Sequence, residues 1–437
     1  MRVLFATYAE KTHFYLMAPL AWALRTAGHE VRVASQPELT DAITGAGLTA
    51  VPIGQNHPFW RVMRTYPLFD PRQDKVPPYG IAETPAEELT WEYLKWGYGQ
   101  IVPWWWRMVN DTLVDGLTEF CRQWKPDLVV WDQITYAAPI AAKASGAVHA
   151  RFLWSVDLFA RMRSHFLRLM YEQPAHERVD VLADWLGAQV SRFGAEFTED
   201  MTSGHFTIDY FPDSLRLDPE LDLDLDLDYV PMRYVPYNGA SVVPDWLREA
   251  PERPRVCLTL GTAAVERFDG YSVPVQELLD ALGELDVEVV ATLAPEQQEA
   301  LTRVPANTRV VSYLALNVLV PTCAAVVHHG GAGSYCTTLL NGVPQLVLHN
   351  LLDAPVRGRH VVRTGAGLAM HTSEVTGPKV AEAVRRLLTE PSFAEAAGRL
   401  AEEVWALPSP NELVPVLEAL TARYRAARPV GSADVRG

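Results

Sequence analysis

At 437 residues the chain is long enough for two domains, and an apolar fraction of 49% is enough to give each a buried core. The formal net charge is -15 without a basic cluster, which argues against nucleic acid as a partner because phosphate-backbone binding needs a positive surface. The four cysteines form no Cys-x-x-Cys pair, so neither a zinc site nor a disulfide framework is indicated, and we expect a cytoplasmic location.

The first 35 residues predict a strand, a helix and a second strand. Residues 3–7 form a short apolar strand, 10–13 a polar loop, 14–26 a helix and 30–35 the next strand. Such a unit predicts a parallel sheet with ligands at the carboxyl ends of its strands, and His13 lies in the loop at that edge. The polar loop argues against a signal peptide. No apolar run approaches the ~20 residues that span a bilayer, so we expect no membrane partner.

Residues 55–90 are rich in proline and predict a long irregular loop, which is usually functional or mobile. Tryptophans follow it at positions 91, 96 and 104–106. A helix would spread three consecutive tryptophans around its axis, so one or two would join the core and the third would face a ligand, a partner or a loop. A core role is the commoner one for any single tryptophan. As a group they fit a large apolar acceptor cleft, to which we assign Trp91, Trp104 and Trp105.

Further strands are predicted at 127–132, 149–154 and 205–211, with helices at 157–171 and 181–202, and Asp132 ends the first of these strands. Residues 221–228 repeat Leu-Asp four times. Magnesium and calcium sites need convergent carboxylates, usually on a glycine turn, whereas this repeat implies a straight acidic edge. We interpret it as a solvated edge or loop and predict no metal site.

A second alternating half follows a linker at 238–254 that is rich in proline and charge. Its strands are predicted at 255–262, 288–293, 308–314, 324–329, 344–349 and 366–371, and helices at 379–388 and 393–407 end the series. Two similar doubly wound halves imply a cleft between them.

Residues 324–334 predict a buried strand, a glycine turn and a helix. Glycines at 330, 331 and 333 allow a tight turn and close approach of a ligand to the backbone. The helix N-terminus offers free N–H groups and partial positive charge, which can hold a phosphate without a metal. The glycines alone are equally consistent with a structural turn. The adjacent histidines favour anion binding, with His329 as a further donor.

The motif His329-Gly330-Gly331-Ala332-Gly333-Ser334 resembles the donor-diphosphate motif of family 1 glycosyltransferases, which have the two-domain GT-B fold. Other segments resemble the actinobacterial macrolide and polyketide deoxysugar transferases within that family. These segments are residues 19–23, 27–31, 46–52, 232–239 and 257–261.

The resemblance implies an α/β GT-B fold with two doubly wound parallel-sheet domains facing a cleft. Residues 1–237 would bind the acceptor, 238–254 would link the domains, 255–408 would bind the donor, and a helix within 409–437 would return to the first domain. The implied reaction is inverting, metal-independent transfer of a deoxysugar from a dTDP-sugar to a hydroxyl of a large apolar, polyketide-type aglycone, with no cofactor.

The resemblance also assigns site residues. His13 matches the family's catalytic histidine, and Asp132 matches an aspartate that orients it. The donor-binding positions are Gly261, Thr262, Leu314, His329, Gly330, Gly331, Ala332, Gly333, Ser334 and Asp353. The family's usual Asp-Gln pair is Asp353-Ala354 here, which suits a sugar lacking the matching hydroxyl and leaves Asp353 for the amine of an aminodeoxysugar.

The resemblance also covers residues 89–92, 120–124 and 137–141, and it implies activation by a helper protein related to cytochromes P450. Such a partner would order the loop at 55–88, and ordering by the acceptor alone is an equal alternative. A homodimer is a further expectation. Two other functions remain open. One is a nucleotide-sugar epimerase of the same fold, which would turn over donor without an aglycone. The other is a non-catalytic auxiliary protein, against which His13, His329 and Asp353 together argue.

Overall fold

The computed structural model describes residues 1–65, 76–81, 84–216, 227–261, 270–350 and 352–427. These residues form two α/β halves, each built on one parallel sheet. Apolar runs such as Leu128–Asp132 have every residue buried, as expected for strands covered by helices on both faces. This arrangement confirms the predicted pair of doubly wound parallel sheets.

The first half contains, within the described residues, a seven-stranded sheet of order β3-β2-β1-β4-β5-β6-β7. Its strands are β1 Arg2–Ala6, β2 Glu30–Ser35, β3 Ala50–Pro52, β4 Leu128–Asp132, β5 Val148–Phe152, β6 Phe206–Asp209 and β7 Tyr229–Pro231. Strand β1 pairs with both β2 and β4, with Val3 opposite Val31 on one side and Leu128 on the other. The order reverses at β1, so the switch point of the sheet lies between β1 and β4.

The helices of this half cover both faces of the sheet. They are α1 Lys11–Thr26, α2 Thr40–Gly45, α3 Phe59–Thr65, α4 Trp91–Ile101, α5 Arg107–Asn110, α6 Val114–Trp124, α7 Ala137–Ser145, α8 Leu158–Tyr171, α9 Val181–Ser191 and α10 Asp200–Ser203. A π-helical turn, Val102–Trp106, joins α4 to α5.

The second half contains, in the part of the chain that is described, a six-stranded sheet of order β10-β9-β8-β11-β12-β13. Its strands are β8 Arg255–Thr259, β9 Glu288–Thr292, β10 Thr308–Val311, β11 Ala325–His328, β12 Gln345–His349 and β13 Gly367–His371. Its helices are α11 Val275–Leu282, α12 Pro295–Glu299, α13 Leu316–Leu319, α14 Ala332–Leu340, α15 Ala354–Thr364, α16 Gly377–Thr389 and α17 Pro391–Ala406.

The last helix, α18 Pro410–Ala426, lies against the first half. A capping box starts it, in which Ser409 and Glu412 satisfy each other's backbone N–H groups. Its buried Leu417 packs into the core shared with the first sheet. Glu418 contacts His29 of the loop before β2 at 3.1 Å. The residue boundaries proposed for the domains stay a prediction.

Three local predictions were wrong. Helix α1 begins at Lys11, so His13 lies in its first turn and not in a loop. The helix predicted over 181–202 ends at Ser191, and Gly194 has a φ of 79°. The stretch 55–90 is not wholly irregular, because Phe59–Thr65 is helical. Residues 66–75 and 82–83 of that stretch, and residues 221–226 of the Leu-Asp repeat, lie outside the described residues.

Candidate active site

The carboxyl ends of β1, β4 and β5 bring three side chains together. The order β1-β4-β5 makes these strands neighbours, so the segments that follow them leave the sheet side by side. His13 follows β1, Asp132 is the last residue of β4, and Trp154 lies two residues beyond β5. Ligands of doubly wound sheets bind at this edge.

The capping of α1 sets the position of His13. The Glu10 carboxylate accepts hydrogen bonds from the Thr12 N–H at 3.4 Å and the Thr12 hydroxyl at 3.1 Å. An acidic cap satisfies free N–H groups at the start of a helix and complements its dipole. The helix therefore starts before His13 and turns the imidazole toward β4.

His13 and Asp132 form a short hydrogen bond, with His13 Nδ1 2.7 Å from Asp132 Oδ2. The other carboxylate oxygen accepts from the Ile134 N–H at 3.1 Å and the Thr135 hydroxyl at 3.2 Å. Asp132 is thus fixed by its own turn, and its side chain is only 1% exposed. Because the carboxylate accepts at Nδ1, that nitrogen carries the ring proton and Nε2 is left as the basic nitrogen.

Aromatic rings surround the imidazole. Trp154 stacks on it with ring centroids 4.4 Å apart and planes 27° apart. The Tyr8 ring lies edge-on at 5.3 Å. Sequence reasoning missed Trp154, although its place after β5 was enough to put it at the same edge as Asp132.

A row of aromatic contacts continues from Tyr8 to the tryptophan cluster. Tyr8 contacts His57 at 5.6 Å between ring centroids, and His57 contacts Phe59 at 6.3 Å. Phe59 in turn stacks on Trp105 at 5.2 Å. These rings form an apolar wall that leads from Trp105 to His13.

Of the three predicted acceptor tryptophans, Trp105 belongs to this wall. Trp91 packs on Phe166 of α8, with ring centroids 5.3 Å apart, and is as buried as Trp105. The assignment of Trp91 to the acceptor cleft stays a prediction. Trp104 is 41% exposed. The π-helical turn widens the local repeat and places Trp105 and Trp106 inward.

In the second half, β11 ends at His328 and the glycine turn leads directly into α14. Gly330 has a φ of 84°, which favours glycine, and Gly331 is the N-cap. The helix starts at Ala332, so Ser334 lies in its first turn. The first-turn amides of residues 332–334 have no acceptor within the helix.

His328 supports the turn. Its Nε2 lies 2.7 Å from the Gln345 side-chain oxygen, and its Nδ1 accepts from the Gly330 N–H at 3.0 Å. Burial lowers the pKa of His328 to about 3, so the ring is neutral at physiological pH. Its role is structural.

His329 fills a slot between two glycines. A Cβ at Gly261 would lie 2.5 Å from the ring carbon Cε1, and a Cβ at Gly331 would lie 2.4 Å from Nε2. Both positions therefore need glycine. Burial, and secondly the Arg357 guanidinium, lower the pKa of His329 to about 4, so this ring is also neutral.

Asp353 is not available in the way that the sequence suggested. Its carboxylate forms a bidentate ion pair with Arg357, one turn along α15, and the residue is 2% exposed. Burial raises the pKa of the Asp353 carboxyl, while Arg357 and the Val156 backbone oppose that rise. The expectation that Asp353 is free for a sugar amine is therefore corrected. Val156 belongs to the loop after β5, so the two halves meet beside Trp154.

The remaining donor positions are partly described. Gly261 follows β8 with a φ of 74°. Leu314 is buried beyond the end of β10. Thr262 lies outside the described residues.

One His/Asp cluster among the described residues, formed by His149, Asp200 and His205, has a spacing that could hold a metal ion. Lys143 Nζ already lies 2.8 Å from the Asp200 carboxylate. His205 Nδ1 accepts from the His149 N–H at 3.1 Å, so its proton is on the nitrogen that faces Asp200. The cluster lies at the amino ends of β5 and β6, away from His13. It satisfies Asp200 without a metal.

Family models match both halves of the chain. Residues 22–261 match the N-terminal domain described as erythromycin biosynthesis protein CIII-like, and residues 276–420 match the C-terminal domain of the same description. The chain belongs to this family. It is a glycosyltransferase with the GT-B fold, so the predicted family, fold and enzyme class are confirmed.

Individual relatives extend over nearly the whole chain. It is 46% identical to the 10-deoxymethynolide desosaminyltransferase of Streptomyces venezuelae over 97% of this chain and 98% of that one. It is 44% identical to the tylactone mycaminosyltransferase of Streptomyces fradiae over 98% and 94%. The crystal structure of glycosyltransferase VinC in complex with dTDP covers 97% of this chain and 100% of that one, with 40% identity and a TM-score of 0.85.

Among the described residues, no helix combines the length and the apolar character that a membrane span requires.

The neutral His328 predicts a pH dependence of stability. Its pKa is lowered from 6.5 to about 3, so the unfolded chain takes up the proton first as the pH falls. The contribution of the neutral His328 ring to the free energy of unfolding is therefore fully present above pH 6.5, and it is lost as the pH falls from 6.5 toward 3. We expect the stability of the wild type, relative to His328→Gln, to fall by about 1.4 kcal/mol between pH 7.5 and 5.5.

Urea unfolding of both proteins at the two pH values measures this difference. His176→Gln is the matched control, because the His176 side chain is 81% exposed. Its difference from the wild type should stay constant. A constant difference for His328→Gln as well would contradict the assignment of a buried neutral ring.

Proposed function

We propose that this chain transfers a deoxysugar from a dTDP-sugar to a hydroxyl of a polyketide-type aglycone, with inversion at the anomeric carbon. The observation that carries the proposal is the His13–Asp132 pair at the carboxyl edge of the first sheet. The glycine turn at the start of α14 complements it. The names of the relatives, which include desosaminyl and mycaminosyl transferases, support a deoxysugar donor.

On the acceptor side, His13 Nε2 takes the proton of the acceptor hydroxyl as its oxygen attacks the anomeric carbon. Asp132 holds the ring in the tautomer that leaves Nε2 basic and stabilises the imidazolium that forms. The new C–O bond forms as the bond to the diphosphate breaks. Direct attack on an α-linked donor then yields the β-glycoside.

On the donor side, negative charge grows on the departing diphosphate. The free amides at the start of α14 and the neutral His329 ring are the donors that this charge would meet. A preorganised helix terminus can do this without magnesium. Gly261 and the main chain at Leu314 would complete the contacts to phosphate and base, and the hydroxyl of Thr262, the next residue after Gly261, would add a further contact to phosphate.

The aromatic wall from Tyr8 to Trp105 is the best candidate surface for a large apolar aglycone. Apolar, aromatic-lined clefts with few polar groups are typical of such sites. The wall ends at His13, so an aglycone bound beside it would have its acceptor hydroxyl next to the proposed base.

We also infer a cytoplasmic enzyme that a helper protein activates, and we keep a homodimer open. Of the segments that suggest the helper, 137–141 is wholly buried. The segments 89–92 and 120–124 each carry exposed residues, namely Thr90, Glu92, Arg122 and Gln123. We infer that a helper would contact exposed residues of this kind on the first half.

Replacement of the proposed base should stop the reaction without weakening donor binding. We expect His13→Ala to lower kcat by roughly 10²–10⁴-fold, the usual contribution of general base catalysis, while dTDP binding stays close to wild type. Transfer assays and calorimetry with dTDP measure the two quantities. Incubation with donor alone, which only an epimerase would consume, is the control. A variant that keeps most of its turnover would overturn the assignment.

Replacement of the donor-side histidine should instead weaken donor binding. We expect His329→Ala to weaken dTDP binding by about 1.5–3 kcal/mol, the range for a hydrogen bond to a charged group. His176→Ala, on an exposed histidine, should bind dTDP like the wild type. EDTA should leave transfer unchanged. Activity that is lost in EDTA and restored by magnesium would contradict the helix-terminus account.

A further inference from the structure

The indole of Trp154 covers one face of the proposed base. Its ring centroid is 4.4 Å from that of His13, with 27° between the planes. The pairing of β4 with β5 fixes this position, because Asp132 lies opposite Phe152 and Trp154 follows two residues later. The carboxylate and the indole therefore approach His13 from adjacent strand ends.

The loop holds the indole in place. The backbone N–H of Trp154 donates to the Gln133 side-chain oxygen at 3.4 Å, and the Gln133 side-chain amide donates to the Ser155 hydroxyl at 2.8 Å. Phe159 packs edge-on against the indole at 5.8 Å. Gln133 follows Asp132 directly, so one short segment positions both groups that contact His13.

An indole face distinguishes the two forms of an imidazole. The face carries negative electrostatic potential, so it attracts a cation more strongly than it attracts a neutral ring. His13 becomes a cation only when it has taken the hydroxyl proton. An interaction that strengthens at that moment lowers the barrier, whereas one that is equal before and after does not.

We propose that Trp154 is a positioning residue of the reaction, whose indole face stabilises the imidazolium form of His13 and so raises the proton affinity of the base. The proposal rests on the proposed role of His13. Trp154 does not contact the reacting atoms itself; it acts through the imidazole.

Other titratable groups near His13 enter its proton affinity and must stay unchanged in any test. Asp132 contacts the ring directly, and Tyr8 contacts it edge-on. His57 packs on Tyr8. Glu10 and Lys11 precede it at the start of α1. None of them is altered by a substitution at position 154.

The experiment measures the proton affinity of His13 while substitutions at position 154 reduce the negative potential of the aromatic face. The enzyme is labelled with ¹³C at histidine Cε1, and the His13 signal is identified by its loss in His13→Ala. We expect its pKa to fall by about 0.5–1.5 pH units in Trp154→Leu and by less in Trp154→Phe. The acidic limb of kcat/KM should move to lower pH by the same amount, and the plateau should fall roughly 2- to 10-fold.

Phe159→Leu is the matched control. It removes an aromatic ring that packs on Trp154 but leaves the indole over His13, so the His13 pKa should keep its wild-type value. A fall as large as that of Trp154→Leu would assign the effect to packing and overturn the proposal.

A second series keeps the shape of the residue. Tryptophans with one to four fluorines, incorporated at position 154 alone, weaken the indole face stepwise at nearly constant size. The His13 pKa should fall with each fluorine, and an unchanged pKa across the series would overturn the inference even if Trp154→Leu fails to fold. If His13→Ala retains transfer, the proposed base itself fails, and the two failures are thereby separate.

Discussion

The contact between His13 Nδ1 and Asp132 Oδ2 joins residues that are 119 positions apart in the chain, and the proposed chemistry depends on it. It exists because β1 and β4 are parallel neighbours at the switch point of the first sheet. Whatever follows β1 and whatever ends β4 must then meet at one edge. The capping of α1 by Glu10 and the turn after Asp132 fix the two partners, so the pair is a product of topology and of two local hydrogen-bonded turns.

The second sheet uses the same rule for a different purpose. Its switch point lies between β8 and β11, and the segments after these strands contain Gly261 and the glycine turn. His329 lies between the two glycines, at the base of α14. Asp353, which is ion-paired with Arg357, also contacts the backbone of Val156 in the loop that contains Trp154. The proposed proton acceptor and the proposed anion-binding helix terminus thus lie at equivalent edges of two similar sheets.

Continuous apolar runs were enough to predict most strands of both sheets, because buried parallel strands are apolar on both faces. The short edge strands β3 and β7 were missed because they lack such a run. The other wrong predictions concerned features that depend on the contacts of individual side chains. Periodicity cannot show that Glu10 caps α1 so that His13 lies within the helix, or that a π-helical turn buries Trp105 and Trp106. An acidic residue four positions before Arg357 is visible in the sequence, but the burial that commits it to an ion pair is not.

The most direct test of this account is a double-mutant cycle on the pair, with kcat/KM measured for the wild type, His13→Ala, Asp132→Ala and the double variant. If Asp132 acts only through His13, the double variant should be no slower than His13→Ala alone, since groups that act as a unit have strongly non-additive effects. Losses that add across the two sites would show that Asp132 works independently of the imidazole, and would contradict the central role given to their hydrogen bond.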